Sequence, residues 1–176
     1  YFGVYLNSST NNTISQNLFR TDDNQNSFVW SILLSHQSCN NTINKNRIFS
    51  SLYGAIYLEK NSNHNEICDN FLLNNQQTIS IKDCLNNIIR NNIINNTLLD
   101  HGVGVGIWLF GGHHHEILGN LIEKSTYAIT LDENSMNNRI MNNQIQHNMD
   151  AINIFEKSHH NIIMNNIHYI LYITLI

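Results

Sequence analysis

Apolar and polar residues follow a repeated pattern along the whole chain. The string Asn-x-Ile-x-x-Asn-x-apolar occurs seven times, once with histidine in place of its first asparagine and once with His168 in place of its final apolar residue. Its second asparagine falls at positions 17, 46, 70, 92, 120, 143 and 166, so successive copies lie 22 to 29 residues apart. Repeats of this length are typical of solenoids, in which each repeat is one supersecondary unit.

A second, shorter apolar run precedes each copy by six or seven residues. These runs begin at residues 3, 31, 54, 78, 106, 128 and 151, and apolar residues alternate within them. That is the period of a β-strand with one buried face. The two halves of each asparagine-containing string predict two further short strands. Each repeat therefore predicts three strands, which bury their apolar side only when the repeats stack.

These patterns predict one all-β domain over residues 1–176, a right-handed single-stranded parallel β-helix (β-solenoid) of about seven coils. The repeat coils of 22–29 residues span about residues 3–168, and residues 169–176 are a partial cap or a truncated next coil. An uncapped solenoid exposes pairing strands at its ends. We therefore expect end-to-end self-association, or else that the chain is part of a longer protein.

Asparagine supplies much of the polar character of the chain. There are 33 Asn and 26 Ile residues and no proline. Equivalent residues on stacked coils lie about 4.8 Å apart, so asparagine amides can form hydrogen-bonded ladders along the stack while they satisfy the turns. The absence of proline agrees with this, because interior coils use their backbone N–H groups in pairing. The asparagine content is therefore interpreted as structural.

Charge and cysteine content narrow the function classes. The net charge is −4 and only 12% of residues are charged, so no basic face is available and nucleic acid is not an expected partner. The chain contains no run of 18 or more apolar residues, so no membrane span is predicted. Cys39, Cys68 and Cys84 form no Cys-x-x-Cys pair and predict separate thiols. The chain starts at Tyr1 without a signal peptide, which indicates a fragment or a processed piece.

The repeat resembles the right-handed parallel β-helix repeat of NosD-like proteins, in its short apolar strand followed by Asn-x-Ile-x-x-Asn-x-Ile. That group belongs to the carbohydrate-binding and sugar-hydrolase β-helix class, which also contains pectate lyases and mannuronan epimerases. The resemblance covers residues 3 to about 168 and implies the fold, which many activities share. It also implies an extracellular, cell-surface or periplasmic location, and the NosD name adds copper as a candidate cofactor.

The fifth coil departs most from the repeat and carries the candidate carbohydrate site. It contains six of the eight glycines and Trp108. Ile107 and Leu109 are predicted to point inward, which leaves Trp108 outward with Tyr57 two coils away. Aromatic rings pack against the C–H faces of sugars, and glycines let a ligand approach the backbone. The predicted substrate-binding residues are Trp108, Tyr57, Phe110 and Glu59.

Charged residues gather in the turn after the first strand of several coils and supply a catalytic alternative. A polysaccharide lyase or epimerase needs a base, an acid and a group that neutralises the uronate carboxylate. Lys82 supplies an ammonium group and Asp132 supplies a carboxylate in these turns. An inserted loop over residues 96–104 adds Asp100 and His101, which resemble part of an Asp-Pro-His-Glu motif of mannuronan epimerases without its proline and final acid. These four residues are the predicted catalytic set, with a solvated polar turn as the alternative.

The segment GGHHHEI, residues 111–117, raises a metal hypothesis. Alignment of the repeats puts His115 in the place of the repeat asparagine. It also puts His113, Met136 and His159 in one column on three consecutive coils. Imidazole and thioether groups suit copper. The predicted metal ligands are therefore His113, Met136 and His159, with metal-free surface turn residues as the alternative.

Three functions follow from these residues and from the resemblance. The favoured one is a non-catalytic carbohydrate-binding or structural β-helix module of a surface or periplasmic protein. The first alternative is a polysaccharide lyase or C5-epimerase that acts on acidic glycans. The second is a NosD-like copper-binding accessory protein. Whether the chain is an enzyme is left open at this level, and carbohydrate is the expected partner.

Overall fold

The computed structural model describes residues 2–20, 30–49, 53–96 and 104–169. These residues form three parallel sheets of seven strands each, and they contain no helix. The first sheet consists of β1 (Phe2–Asn7), β4 (Trp30–Ser35), β7 (Gly54–Leu58), β10 (Gln77–Lys82), β13 (Val105–Phe110), β16 (Tyr127–Asp132) and β19 (Asp150–Ile154).

The other two sheets are built from three-residue strands. The second consists of β2 (Thr13–Ser15), β5 (Thr42–Asn44), β8 (Glu66–Cys68), β11 (Ile88–Arg90), β14 (Glu116–Leu118), β17 (Arg139–Met141) and β20 (Ile162–Met164). The third consists of β3 (Leu18–Arg20), β6 (Arg47–Phe49), β9 (Phe71–Leu73), β12 (Ile93–Asn95), β15 (Leu121–Glu123), β18 (Gln144–Gln146) and β21 (Ile167–Tyr169).

Each coil contributes one strand to each sheet, so every third strand pairs in parallel along the stack. We number the coils 1 to 7, from β1–β3 to β19–β21. The predicted all-β parallel β-solenoid is confirmed. Each sheet has seven strands, so six strand pairings connect them along the stack. No helix in the described ranges is long and apolar enough to cross a membrane.

The core is a set of apolar columns inside the coils. In coils 1 to 6 the middle residue of each short strand points inward and pairs with its counterpart on the next coil, as Ile89 does with Ile117. The first sheet adds two inward positions per coil, such as Ile107 and Leu109, and interior members of these columns are fully buried. Burial of one isoleucine contributes up to about 2–3 kcal/mol, so stacked coils stabilise one another.

Two asparagine columns connect the coils at the corners of the second sheet. In the second column, Asn92 Oδ1 accepts hydrogen bonds from the backbone N–H and the side-chain amide of Asn70, at 3.0 Å each. The Asn92 amide in turn donates to Asn120 Oδ1 at 3.0 Å and to the carbonyl of Ile67 at 2.9 Å. Buried turn backbone is thereby satisfied coil after coil, as the asparagine repeat predicts.

Candidate functional site

The outer face of the first sheet carries the candidate site. The strand register places one outward residue of each coil in a single column: Tyr5, Leu33, Tyr57, Ser80, Trp108, Thr130 and Asn153. From coil 3 to coil 6 this column alternates between a large aromatic and a small hydroxyl residue. Because adjacent strands lie about 4.8 Å apart, each small residue leaves a gap between larger neighbours.

The first gap is a cleft of about 260 Å³ over Ser80, which we call cleft A. Its lining combines four aromatic side chains with a hydroxyl, an amide and an ammonium group. The lining residues are Trp30, Tyr57, Gln77, Ser80, Ile81, Lys82, Trp108 and Phe110.

One wall of cleft A is an aromatic stack. The rings of Trp30 and Tyr57 lie 4.8 Å apart at an angle of 23°. Gly54 makes this possible, since a Cβ atom there would lie 1.9 Å from the Trp30 ring. The opposite wall is an edge-to-face pair of Trp108 and Phe110, with ring centres 5.7 Å apart. Both walls are held by packing and present apolar surface to the cleft.

Lys82 brings a positive charge to cleft A. Its ammonium group lies 4.9 Å from the centre of the Phe110 ring, a cation–π contact. The ion pairs found among the described residues are Lys60–Glu59, Arg90–Glu66 and Arg139–Glu116, and Lys82 belongs to none of them.

Glu59 lies beside the cleft wall without lining the cleft itself. It accepts a hydrogen bond from Ser35 at 2.8 Å and pairs with Lys60. Burial raises the pKa of the Tyr57 phenol, and the nearby Glu59 carboxylate raises it further. Tyr57 is therefore a neutral hydroxyl at every physiological pH.

A second gap, cleft B, lies on the other side of Trp108 over Thr130. Its volume is about 340 Å³. Trp108 and Gln77 line both clefts, so the two are neighbours along the solenoid. The lining residues are Gln76, Gln77, Val105, Trp108, Tyr127, Thr130, Asp132 and Phe155.

The predicted catalytic residues are placed as follows. Lys82 and Asp132 share one column with Phe110 between them, and they line different clefts. Asp100 and His101 lie outside the described residues. The catalytic set therefore stays a prediction, and its described members face separate spaces.

The predicted metal column exists in the register. His113 forms parallel bridges with Leu85 and Met136, and His159 follows on the next coil, where its carbonyl accepts from Asn137 at 3.3 Å. The Nδ1 atom of His113 is buried without a hydrogen-bond partner. Burial and the neighbouring His114 lower the pKa of His113, which favours the neutral, metal-binding form.

Whether these residues fit copper depends on donor type and direction. Imidazole and thioether suit copper, so the donor type fits. The His159 Nδ1 atom instead lies 2.8 Å from the Nδ1 atom of His160. Within the described ranges no group of three His, Cys, Asp or Glu residues is placed to hold a metal ion. The donor types of the column thus suit copper, whereas the His159 ring is turned towards His160.

His115 is a structural residue of the first asparagine column. It is fully buried, and its Nδ1 atom accepts from the backbone N–H of Asn87 at 3.0 Å. Burial lowers the pKa of His115 to about 4. The central residue of the run, His114, has a positive φ of 57° and forms the turn. The segment GGHHHEI is thus a turn followed by His115, which takes the asparagine position of the ladder.

Sequence reasoning missed Trp30, Gln77, Thr130 and Phe155 as cleft residues. Strict alternation puts Trp30 on the same side as Ile32, yet its ring lies on the outer face. The reason is visible in β10, where Thr78 and Ile79 are both buried and Gln77 and Ser80 both line cleft A. One available signal was Gly54, the residue paired with Trp30.

Comparison with known proteins supplies the family. The model of the family described as "Periplasmic copper-binding protein (NosD)" matches residues 1–120 and 35–169. The chain belongs to this NosD family. Among curated proteins, no match was found.

A solved structure shows the same fold. It is a double mutant of the periplasmic alginate epimerase AlgG, with a TM-score of 0.67 and 13% sequence identity. The match covers 90% of this chain and 39% of the epimerase chain. At that identity the similarity is one of fold, so the NosD-family chain has the β-solenoid architecture of part of that protein.

Proposed function

We propose that this NosD-family chain is a non-catalytic carbohydrate-binding module that acts in the periplasm or at the cell surface. The observation that carries the proposal is cleft A, in which the aromatic walls of Tyr57 and Trp108 enclose a polar floor. Sugar rings present apolar C–H faces and hydroxyl edges, and this combination suits them. The location rests on the family description and on the epimerase, both of which are called periplasmic.

Trp108 is the residue that tests carbohydrate binding, because it lines both clefts. The chain is applied to an array of neutral and acidic glycans, and the affinity for the best ligands is measured by calorimetry. Trp108→Ala is expected to weaken binding by about fivefold to 150-fold, since stacking on one aromatic ring contributes about 1–3 kcal/mol.

Tyr5→Ala is the matched control for this test. Tyr5 belongs to the same outward column and is 46% exposed, but it lines neither cleft. Its substitution is expected to leave affinity unchanged. Equal losses for Trp108→Ala and Tyr5→Ala, or no glycan bound by the wild type, would contradict the proposal.

A lyase or epimerase is the enzymatic alternative, and it has a direct assay. Incubation with alginate or pectate is followed by absorbance of unsaturated products, and NMR of the uronate detects epimerisation. Activity that is lost in Asp132→Asn or His101→Ala would support the enzyme. The separate positions of Lys82 and Asp132 favour binding over catalysis.

Copper binding is the second candidate function, favoured by the unpaired His113 Nδ1 atom in a column with Met136. Copper would supply a soft Lewis-acid centre there. Titration with Cu(I) is expected to give a binding heat that His113→Ala and Met136→Ala abolish. His147→Ala, an exposed histidine in another turn, is the control. Unchanged affinity in the first two variants would end this candidate.

A further inference from the structure

Cleft B repeats the architecture of cleft A two coils further along. Cleft A has Ser80 between Tyr57 and Trp108, and cleft B has Thr130 beyond Trp108. The two hydroxyl residues lie two strands apart, which is about 10 Å. That distance is comparable to the length of a disaccharide unit in an extended 1,4-linked glycan.

Cleft B also contains polar atoms that the protein leaves without partners. Thr130 is only 6% exposed, and its Oγ1 atom forms no hydrogen bond with the described residues. The Nε1 atom of Trp108 is likewise buried and unpaired. A buried hydroxyl or N–H without a partner is costly. Thr130 lines cleft B, and Trp108 lines both clefts. Because both atoms are covered in the ligand-free protein, a sugar forms the missing bonds once the adjacent side chains shift.

Charge distinguishes the two clefts. Asp132 is the charged lining residue of cleft B, and one of its oxygens accepts from the Glu133 N–H at 2.9 Å. It takes part in none of the ion pairs found among the described residues. An unpaired carboxylate accepts hydrogen bonds from sugar hydroxyls and repels a uronate. Cleft B therefore suits a neutral sugar.

We infer that cleft B is a second sugar subsite and that the two clefts together bind a 1,4-linked glycan lengthwise along the solenoid, with a neutral sugar in cleft B. One subsite falls on every second coil. Thr130 accepts or donates a hydrogen bond to a sugar hydroxyl, and Asp132 accepts another. The inference rests on the proposed carbohydrate-binding function and specifies its ligand class and direction.

The test uses ligand length. Calorimetry compares neutral 1,4-linked oligosaccharides of glucose, mannose and xylose with two and with six sugar units, and includes hexagalacturonate as the acidic ligand. At least one neutral hexasaccharide is expected to bind tenfold or more tightly than its disaccharide, because only the longer chain reaches both clefts. Thr130→Val is expected to weaken hexasaccharide binding about tenfold and to leave disaccharide binding unchanged.

Two controls separate binding from stability. Thr130→Val keeps the shape of the side chain and removes a hydroxyl that the protein does not pair, so the unfolding midpoint stays the same or rises. Ser80→Ala changes cleft A alone and is expected to weaken both lengths by the same factor.

The possible results have distinct meanings. Affinity independent of length, or a Thr130→Val variant that binds like the wild type, overturns the second subsite while the proposed function stands. Tightest binding of hexagalacturonate overturns the neutral ligand class. Failure of every one of these oligosaccharides to bind overturns the inference, while the proposed function then depends on whether the glycan array finds any other ligand.

Discussion

At the scale of single residues, the fifth coil alters two ladders at once. His115 occupies an asparagine position, and Gly112 occupies a serine position, where other coils pair as Ser38 does with Ser62. The two changes are coupled, since a Cβ atom at Gly112 would lie 2.7 Å from His115 Nε2. The exchange leaves His115 Nε2 and the Asn87 side-chain amide buried without partners.

The first prediction concerns this pair of positions. Gly112→Ser alone is expected to destabilise the fold by about 1–3 kcal/mol, because the new side chain collides with the imidazole. Combined with His115→Asn, the same change completes the asparagine ladder and removes the collision, although Cys84 still interrupts the serine column on coil 4. The double variant is expected to raise the free energy of unfolding above wild type by about 1–2 kcal/mol. Urea unfolding of the four proteins measures the coupling. Additive effects would show that the positions are independent.

The second prediction concerns pH. Burial lowers the pKa of His115 from 6.5 to about 4, so the unfolded chain binds the additional proton between these values. The neutral His115 ring therefore makes its full contribution to the free energy of unfolding above pH 6.5, and this contribution is lost as the pH falls towards 4. The loss is on the order of 3 kcal/mol. Urea unfolding at pH 7 and pH 4.5 is expected to show it, and the slope should flatten in His115→Asn but persist in His147→Asn.

At the scale of the coil, neighbouring asparagines have different tasks. In the pair Asn91–Asn92, Asn91 has a positive φ of 55°, a conformation that asparagine tolerates better than most residues. Asn92 then enters the ladder. The same pairing of a left-handed turn residue with a ladder residue occurs at Asn142–Asn143. Asparagine doublets are thus corners of the coil.

The third prediction compares an interior with a terminal ladder position. Asn120 accepts from the backbone and side chain of Asn92 and donates to the carbonyl of Ile89. Asn120→Ala leaves these buried groups unpaired and is expected to cost about 3 kcal/mol or more. Asn17 is exposed, so Asn17→Ala is expected to cost less than about 1 kcal/mol. Chemical unfolding measures both, and similar losses would contradict the ladder argument.

At the scale of the whole molecule, stability depends on neighbours. Ile140 and Ile163 are register partners on coils 6 and 7, yet Ile140 is fully buried whereas Ile163 is 44% exposed. The exposed residues of coil 7 also include Ile162 and Met164, 48% and 49% exposed. Exposed apolar surface of this kind promotes association.

The fourth prediction follows from that surface. The 176-residue chain by itself is expected to form larger species as its concentration rises, and Ile163→Lys is expected to reduce them because a charge enters the apolar column. Met149→Lys adds the same charge at a residue that is 71% exposed and is expected to change nothing. Light scattering measures the mass. A strict monomer in the wild type would contradict this prediction.

The sequence predicts where on the solenoid the candidate site lies, but it does not predict all the residues that line it. Repeat alignment places Tyr57 and Trp108 two coils apart on one face, because equivalent positions of a solenoid stack. It cannot place Trp30, because Thr78 and Ile79 both face the core and the alternation fails at that part of the first sheet. Nor can it show that Thr130 is buried without a partner, because burial depends on neighbouring side chains.

Sequence by itself determined the approximate coil number, the strand columns and the asparagine ladders, since each depends on residues repeated at a nearly constant spacing. The tertiary structure decided which outward residues form cavities. A cleft requires large residues beside small ones on coils far apart in sequence, such as Tyr57, Ser80 and Trp108. It also decided the task of His115, because burial in the ladder, rather than the run of three histidines, sets its chemistry.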